Sequence, residues 1–319
     1  MGKLKLNVML SRDFDFYELG PVWHLCTPGM HQCSIFRTRE DFVFGMNLVA
    51  LAASSYRDEI KILTFELMSH HFHFVMACEE PTLNGFFDFI YKRLRRYLAA
   101  QQRAGDVNDL SFNYFAVKDL RYLLTLIAYV NRNGYLVDPN HSPFTYPWGA
   151  NMFFFNPCAL ELPAVEVSKL SLDKKRQIFK SRNFEIQPDY RYLTGAGYIS
   201  PASYCHLSLA EGLFKDARHY FGMISRKVES YSQIAKELGD SIFYTDEEMF
   251  AAVYSHCANR YDVKNPTLLG RNDKIEVAKL MKYDYNASNS QIMRLLKIDE
   301  RILDELFPPT PGKQKKLSK

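Results

Sequence analysis

Residues 68–76 read MSHHFHFVM, three imidazoles within four positions of an otherwise apolar run. On an extended backbone successive side chains point to opposite faces, so His71 and His73 share one face while Phe72 and Phe74 share the other. Neutral imidazoles at that spacing can chelate a divalent ion, although an H-x-H in an apolar strand also occurs as a purely structural pair. Two histidines supply only two ligands, and a catalytic ion needs at least one more group plus open positions for a substrate oxygen. The stretch AYVNRNG offers that group: Tyr129 and Asn133 lie four residues apart, on one face of a helix and one turn from each other. Asn133 could give its amide oxygen to the metal while Tyr129 presents a phenol to a phosphate, both carried by one rigid element. The chain holds 20 tyrosines, so this pair draws its weight from sharing a domain with the H-x-H. His70, at the turn and on the face of Phe72, receives no ligand role.

The elements that must position these residues follow from the pattern. PVWHLCT reads as a strand and REDFVFGMNLVALAASSYR as an amphipathic helix. EIKILTFELM and HHFHFVMACEE read as two strands joined tightly at Met68–His70. TLNGFFDFIYKRLRRYLAAQQRAG is a second helix ended by Gly105. SFNYFAVK is a short strand. DLRYLLTLIAYVNRNG is a third helix, with Asp119 as N-cap and Gly134 just past its end. Strand, helix, strand, strand, helix, strand, helix is the order of a ferredoxin-like α+β sandwich with one added helix. The expected division is 1–158 for this domain, 159–260 for a helical region of unknown role, 261–308 for a helical module and 309–319 for a disordered basic tail, so that everything after the first domain is all-helical. Within 261–308, breaks at Asn286–Asn289 and Ile298–Asp299, a Ser288–Gln291 capping box and an Asp299 N-cap suit a helix-turn-helix and equally a plain packing module. The last of these helices is acidic (Asp299, Glu300, Asp304, Glu305), which suits a groove-reading helix poorly.

Composition narrows the classes. A chain of 319 residues with 47% hydrophobic content can build more than one core. No apolar run approaches the roughly 20 residues of a bilayer span, and MGKLKLNVML lacks the features of a signal peptide. The expectation is a cytoplasmic protein with no membrane partner. Six cysteines without any C-x-x-C pair argue against a zinc knuckle and against a disulfide framework. The net charge of +4 permits a nucleic-acid partner without demanding one. Its densest cluster is Lys92, Arg93, Arg95, Arg96 and Arg103 on the second helix, either a DNA-binding surface or a solvated helix face.

Taken together these segments resemble a known family. MSHHFHFVM is similar to the M-P-N-H-x-H-hydrophobic signature of single-tyrosine HUH transposases. AYVNRNGYLVDP followed by YPWGA is similar to the Y-[IV]-x-x-N-P-V-x-A and Y-x-W-S-S segments of REP-associated tyrosine transposases. PVWHLCTPGMHQCSIFRTREDF stands where the family has Y-H-V-T-x-R-G-N followed by I-F and an acidic residue. The match spans residues 17 to about 155. It departs at TPGMHQ (family R-G-N), Ser69-His70 (Pro-Asn) and Asn133-Gly134-Tyr135 (Asn-Pro-Val).

The resemblance implies a metal-dependent HUH endonuclease and strand transferase, a transposase-like enzyme of DNA recombination. It acts on single-stranded hairpin or repeat DNA through a 5′-phosphotyrosine intermediate. His71, His73 and Asn133 become the metal ligands and Tyr129 the nucleophile, with Mg²⁺ or Mn²⁺ as the ion; two imidazoles suit Mn²⁺ better. Such a protein would associate with the nucleoid when bound to DNA, as a monomer or a homodimer. The alternative is a domesticated, catalytically silent DNA-binding or regulatory protein on the same fold.

Overall fold

The computed structural model describes residues 16–27, 34–108, 110–137, 145–182, 184–224, 246–263, 265–283, 285 and 287–308. The basic tail 309–319 lies outside the described residues. Two compact units divide the chain near residue 226.

The first unit is built on a four-stranded antiparallel sheet of β1 (Val22–Cys26), β2 (Lys61–Leu67), β3 (Phe72–Ala77) and β4 (Asn113–Ala116) in the order β2-β3-β1-β4. Helix α1 (Arg39–Ser55) joins β1 to β2, α2 (Glu80–Ala100) joins β3 to β4, and α3 (Leu120–Val137) follows β4. The α+β class and the expected order of elements are those of the chain. Register decides which side chains share a face, because paired residues of antiparallel strands point the same way. Phe65, Phe74, Leu25 and Tyr114 form a row on one face. Glu66, His73, Cys26 and Asn113 form a row on the other, beside Thr64, Val75, His24 and Phe115. The aromatic face packs on α2, with Phe74 against Phe86 at 5.4 Å and Phe72 against Phe87 at 6.5 Å between ring centroids. Each such ring removed from water contributes about 1.5–3 kcal/mol. The polar face takes α3.

The edge strand β2 would otherwise offer unpaired backbone groups. Segment 148–150 and residue 206 cover them: Leu67 N–H donates to Trp148 O (2.8 Å), Ala150 N–H to Phe65 O (3.0 Å) and His206 N–H to Ile62 O (2.8 Å). Gly149 is required there, since a Cβ would stand 2.6 Å from the carbonyl oxygen of Phe65.

Local signals placed the helix starts better than their ends. Thr38 caps α1 in a capping box with Asp41, and Asp119 Oδ1 accepts from Tyr122 N–H at 2.7 Å at the start of α3. Helix α2 stops at Ala100, before Gly105, with Gln102 at φ +60°. Helix α3 continues past Gly134 to Val137, since one glycine costs a helix only about 1 kcal/mol. Helix α1 is not amphipathic: it is buried without a break from Phe44 to Ser54.

The burial of α1 has its cause after residue 158, where the expected domain boundary and the all-helical expectation both give way. β5 (Ala164–Glu166), β6 (Arg191–Leu193) and β7 (Tyr198–Ile199) form a small antiparallel sheet, with α4 (Leu172–Phe179) between β5 and β6. β7 and α4 pack on α1. Asn47 of α1 accepts from Ile199 N–H (3.0 Å) and donates to Gly197 O (3.1 Å). Strands of two or three residues are too short to show an alternation in the sequence. Helices α5 (Leu207–Gly212) and α6 (Ala217–Ile224) follow and pack on β2 and α3 respectively. Residues 159–224 therefore share the core of the first unit.

The second unit contains α7 (Asp246–Tyr261), α8 (Arg271–Tyr283), α9 (Asn289–Leu296) and α10 (Glu300–Leu306) around Val253, Cys257, Met281, Ile292, Leu296 and Leu303. The Ser288–Gln291 capping box and the Asp299 N-cap are both present. Asp304 on the acidic α10 accepts from Asn289 Nδ2 at 2.9 Å, so part of that acidity ties α10 to α9. Among the described residues no helix is long and apolar enough to cross a membrane.

Candidate functional site

The tight β2–β3 hairpin, closed by Met68 N–H donating to His71 O at 2.8 Å, sets His71 one residue before β3 and His73 within it. Their rings meet edge to face, 5.0 Å between centroids and 87° between planes. Tyr129 of α3 lies over this face with its ring 5.9 Å from that of His73, again nearly perpendicular. All three are buried, 2% exposed at most. Asn133, one turn along α3, is buried too; among the described residues no hydrogen bond or ring contact ties its side chain to the imidazoles. His70, half-buried, sits 3.0 Å from Ser69 Oγ through Nδ1.

The sheet adds two groups that sequence reasoning missed. His24 Nε2 lies 3.0 Å from His73 Nδ1, the ring planes 13° from parallel, so one proton is shared between the two nitrogens. Cys26 occupies the register position opposite His73. One ligand atom from each of His24, Cys26 and His73 lies within 4.8 Å of the others, and this buried group could hold a metal ion. The signal was in the sequence, since WHLCT alternates histidine and cysteine on one strand face. What it lacked was the pairing of β1 with β3, which joins residues 49 apart along the chain.

A second polar feature fixes the helix that carries Tyr129. Thr64 Oγ1 of β2 donates to Asn131 Oδ1, and Asn131 Nδ2 donates to the hydroxyl of Tyr220 on α6 at 2.8 Å, all buried. Asn131 thus joins the sheet beneath α3 to the helix packed on it.

The basic residues expected on α2 divide into two kinds, and Arg103 lies beyond the end of that helix at Ala100. Arg95 and Arg96 are exposed, and exposed Lys92 makes an i,i+4 pair with Asp88 at 3.3 Å. The Arg93 guanidinium lies 4.4 Å over the Phe89 ring; burial, then the neighbouring Arg96 charge, presses its pKa down. Arg93 and Arg96 line a cavity of about 230 Å³ with Tyr97, Gln101, Phe179 and Lys180. Arg103 is different, because internal acceptors take all of its donors. Nη1 donates to Asp41 (2.7 Å) and Gln101 (3.3 Å), Nε to Asp106 (2.8 Å), and Nη2 to the carbonyls of Ser34 (3.1 Å) and Ile35 (2.9 Å). With five N–H groups in use, Arg103 has none to offer a phosphate. The cluster also lies on the aromatic side of the sheet, the histidines on the other.

Comparison with family models, with curated proteins and with solved structures finds no match to this chain.

Proposed function

We propose that the chain is a single-stranded DNA endonuclease and strand transferase of the single-tyrosine HUH kind, akin to REP-associated tyrosine transposases, with Tyr129 as nucleophile. The observation that carries this reading is the convergence of Tyr129, His73 and His71 on the polar face of the sheet. The β2-β3-β1-β4 order with crossover helices α1 and α2 is that of a ferredoxin-like sandwich, which supports it. In the reaction the Tyr129 hydroxyl gives up its proton as its oxygen attacks a DNA phosphorus, and the 3′-oxygen leaves, taking up a proton. A 3′-hydroxyl and a 5′-phosphotyrosine result. A second 3′-hydroxyl then displaces the phenolate, and because the aryl ester keeps the phosphoryl group activated, rejoining needs no nucleotide cofactor.

Two buried imidazoles are a fitting but incomplete donor set for a divalent ion, and Asn133 would complete it. Mg²⁺ or Mn²⁺ bound there would offset charge developing on the non-bridging oxygens. His24 assists when the shared proton sits on His73 Nδ1, because it then fixes the tautomer that leaves His73 Nε2 its lone pair. Arg93, Arg95 and Arg96 supply phosphate contacts for the hairpin stem. Tyr129, His71 and His73 are buried, so a DNA strand reaches them only once this face of the sheet is uncovered.

The test is a denaturing gel of labelled hairpin DNA incubated with the protein and Mn²⁺. The parent chain should leave a covalent adduct, and Tyr129→Phe should leave none while binding the hairpin as the parent does. An adduct surviving in Tyr129→Phe would remove Tyr129 from the role. Binding without any adduct from the parent chain would favour the silent DNA-binding reading.

A further inference from the structure

We infer that His24, Cys26 and His73 form a site for a thiophilic, tetrahedral metal ion of the Zn²⁺ class, separate in chemistry from the Mg²⁺ or Mn²⁺ of the proposed reaction. Three observations carry this. His24 and Cys26 stand two residues apart on β1 and therefore on one face, and the register with β3 places His73 on that same face. Their ligand atoms lie within 4.8 Å of one another, with His24 Nε2 and His73 Nδ1 only 3.0 Å apart. Ligands of a tetrahedral Zn²⁺ at the usual bond lengths are separated by roughly 3.3 Å for two nitrogens and 3.6 Å for nitrogen and sulfur. The two nitrogens stand about 0.3 Å short of that edge, and the Cys26 sulfur would close in from no more than 4.8 Å.

The donor set then selects the ion. A thiolate and two imidazoles suit Zn²⁺, Co²⁺ or Cu⁺, whereas Mg²⁺ demands oxygen ligands in octahedral array. Loading balances simply. The Cys26 thiol loses its proton to solvent as the S–metal bond forms, and the proton shared by the two nitrogens moves to another ring nitrogen, so that each imidazole donates a lone pair. One site on paired strands β1 and β3 would clip the two central strands of the sheet together. With His73 Nδ1 on this ion the ring proton sits on Nε2, so His73 would serve this site and the Mg²⁺ or Mn²⁺ of the proposed reaction alternately, never both at once.

The experiment uses the full chain with Cys33 and Cys158 replaced by serine, the latter because it is the exposed thiol among the described residues. Zinc content is measured by mass spectrometry after dialysis, and affinity by competition with a chromophoric chelator. Co²⁺ is then substituted and its absorption recorded. One equivalent of zinc per chain is expected, with thiolate-to-cobalt charge-transfer absorption in the near ultraviolet. Cys26→Ser and His24→Asn should each weaken zinc binding at least about a hundredfold, the upper end of what losing even an outer-shell partner costs. Cys26→Ser should abolish the near-ultraviolet absorption, and Cys78→Ser should change nothing. Should a variant fail to fold, zinc-edge X-ray absorption on the parent chain decides: a sulfur scatterer at about 2.3 Å supports the site. A shell of nitrogen and oxygen only, zinc far below one equivalent, or charge-transfer absorption persisting in Cys26→Ser would each overturn it.

Discussion

Replacing Arg103 with alanine separates a role in the scaffold from a role on the proposed DNA surface. Arg103 donates to buried Asp41 at 2.7 Å and holds the carbonyls of Ser34 and Ile35, which fixes the chain entering α1. Asp41 is 1% exposed, and in Arg103→Ala it keeps three donors: Arg37 N–H, Thr38 N–H and the Tyr97 hydroxyl. Removing one partner of a buried ion pair costs about 3–5 kcal/mol; the remaining donors and the 15% exposure of Arg103 put this case at the low end, about 3 kcal/mol. For a unit of this size that lowers Tm by roughly 6–12 °C. The loss should depend on pH. Burial pushes the Asp41 carboxyl up, but the Arg37 N–H bond, the Arg103 and Tyr97 bonds and the Arg103 charge outweigh it and hold the pKa below its ordinary 3.8. A depressed carboxyl stabilises the fold fully above that ordinary value and ceases to as pH falls through its folded value. The parent chain should therefore lose stability on acidification more steeply than Arg103→Ala. The assay is thermal melting from pH 3 to 7, alongside hairpin binding at several salt concentrations, where the variant's salt slope should match the parent's. An unchanged Tm together with a reduced slope would refute the reasoning and return Arg103 to the DNA surface.

Replacing Arg93, Arg95 and Arg96 together by alanine should do the reverse, leaving Tm near the parent's and reducing the salt slope of DNA binding by up to about 0.9 for each phosphate left without its arginine; an identical slope would make the cluster a solvated face. A fragment ending at residue 158 lacks Tyr220, which stacks on Phe154 and bonds Asn131, and lacks β7 against α1. It should show no cooperative melting, whereas a fragment ending at residue 226 should; cooperative melting of both at one temperature would deny the shared core. Gly149→Ala should cost about 2–3 kcal/mol by forcing segment 148–150 off β2, measured by urea denaturation. A change under about 0.5 kcal/mol, the usual range for surface substitutions, would mean that the segment yields without loss.

The parts legible in the sequence were those that local chemistry specifies. The alternation of MSHHFHFVM gave β3 and the common face of His71 and His73, and the four-residue spacing put Tyr129 on the helix that covers them. What stayed hidden depended on partners distant along the chain. Arg103 looked like one more cation in a basic helix because its acceptor, Asp41, lies 62 residues earlier. His24 and Cys26 looked like strand residues because nothing local says that β1 pairs with β3. The nearly continuous apolar run in α1, interrupted by Asn47, does carry a signal: a helix buried all round needs a second layer, here β7 and α4. Asn131, between Tyr129 and Asn133, passed unnoticed because its partners lie on β2 and α6.

The Asn131 bonds also add to the cost of reaching the buried tyrosine, beside the burial of Leu123, Leu126, Ile127 and Val130 on the same helix. Freeing α3 from both the sheet and α6 would strip Asn131 of both Thr64 and Tyr220, and each broken bond leaves polar groups that cost about 1–3 kcal/mol until water meets them. At about 2 kcal/mol or more in total, fewer than roughly 3% of chains would be open at any moment. A ligand that binds only the open form pays that fraction as a direct reduction of its apparent affinity. The side chain that contributes nothing to the chemistry of the site would then act as its gatekeeper. Occasional strands would find the door shut, and those with enough binding energy elsewhere along their length would hold it open.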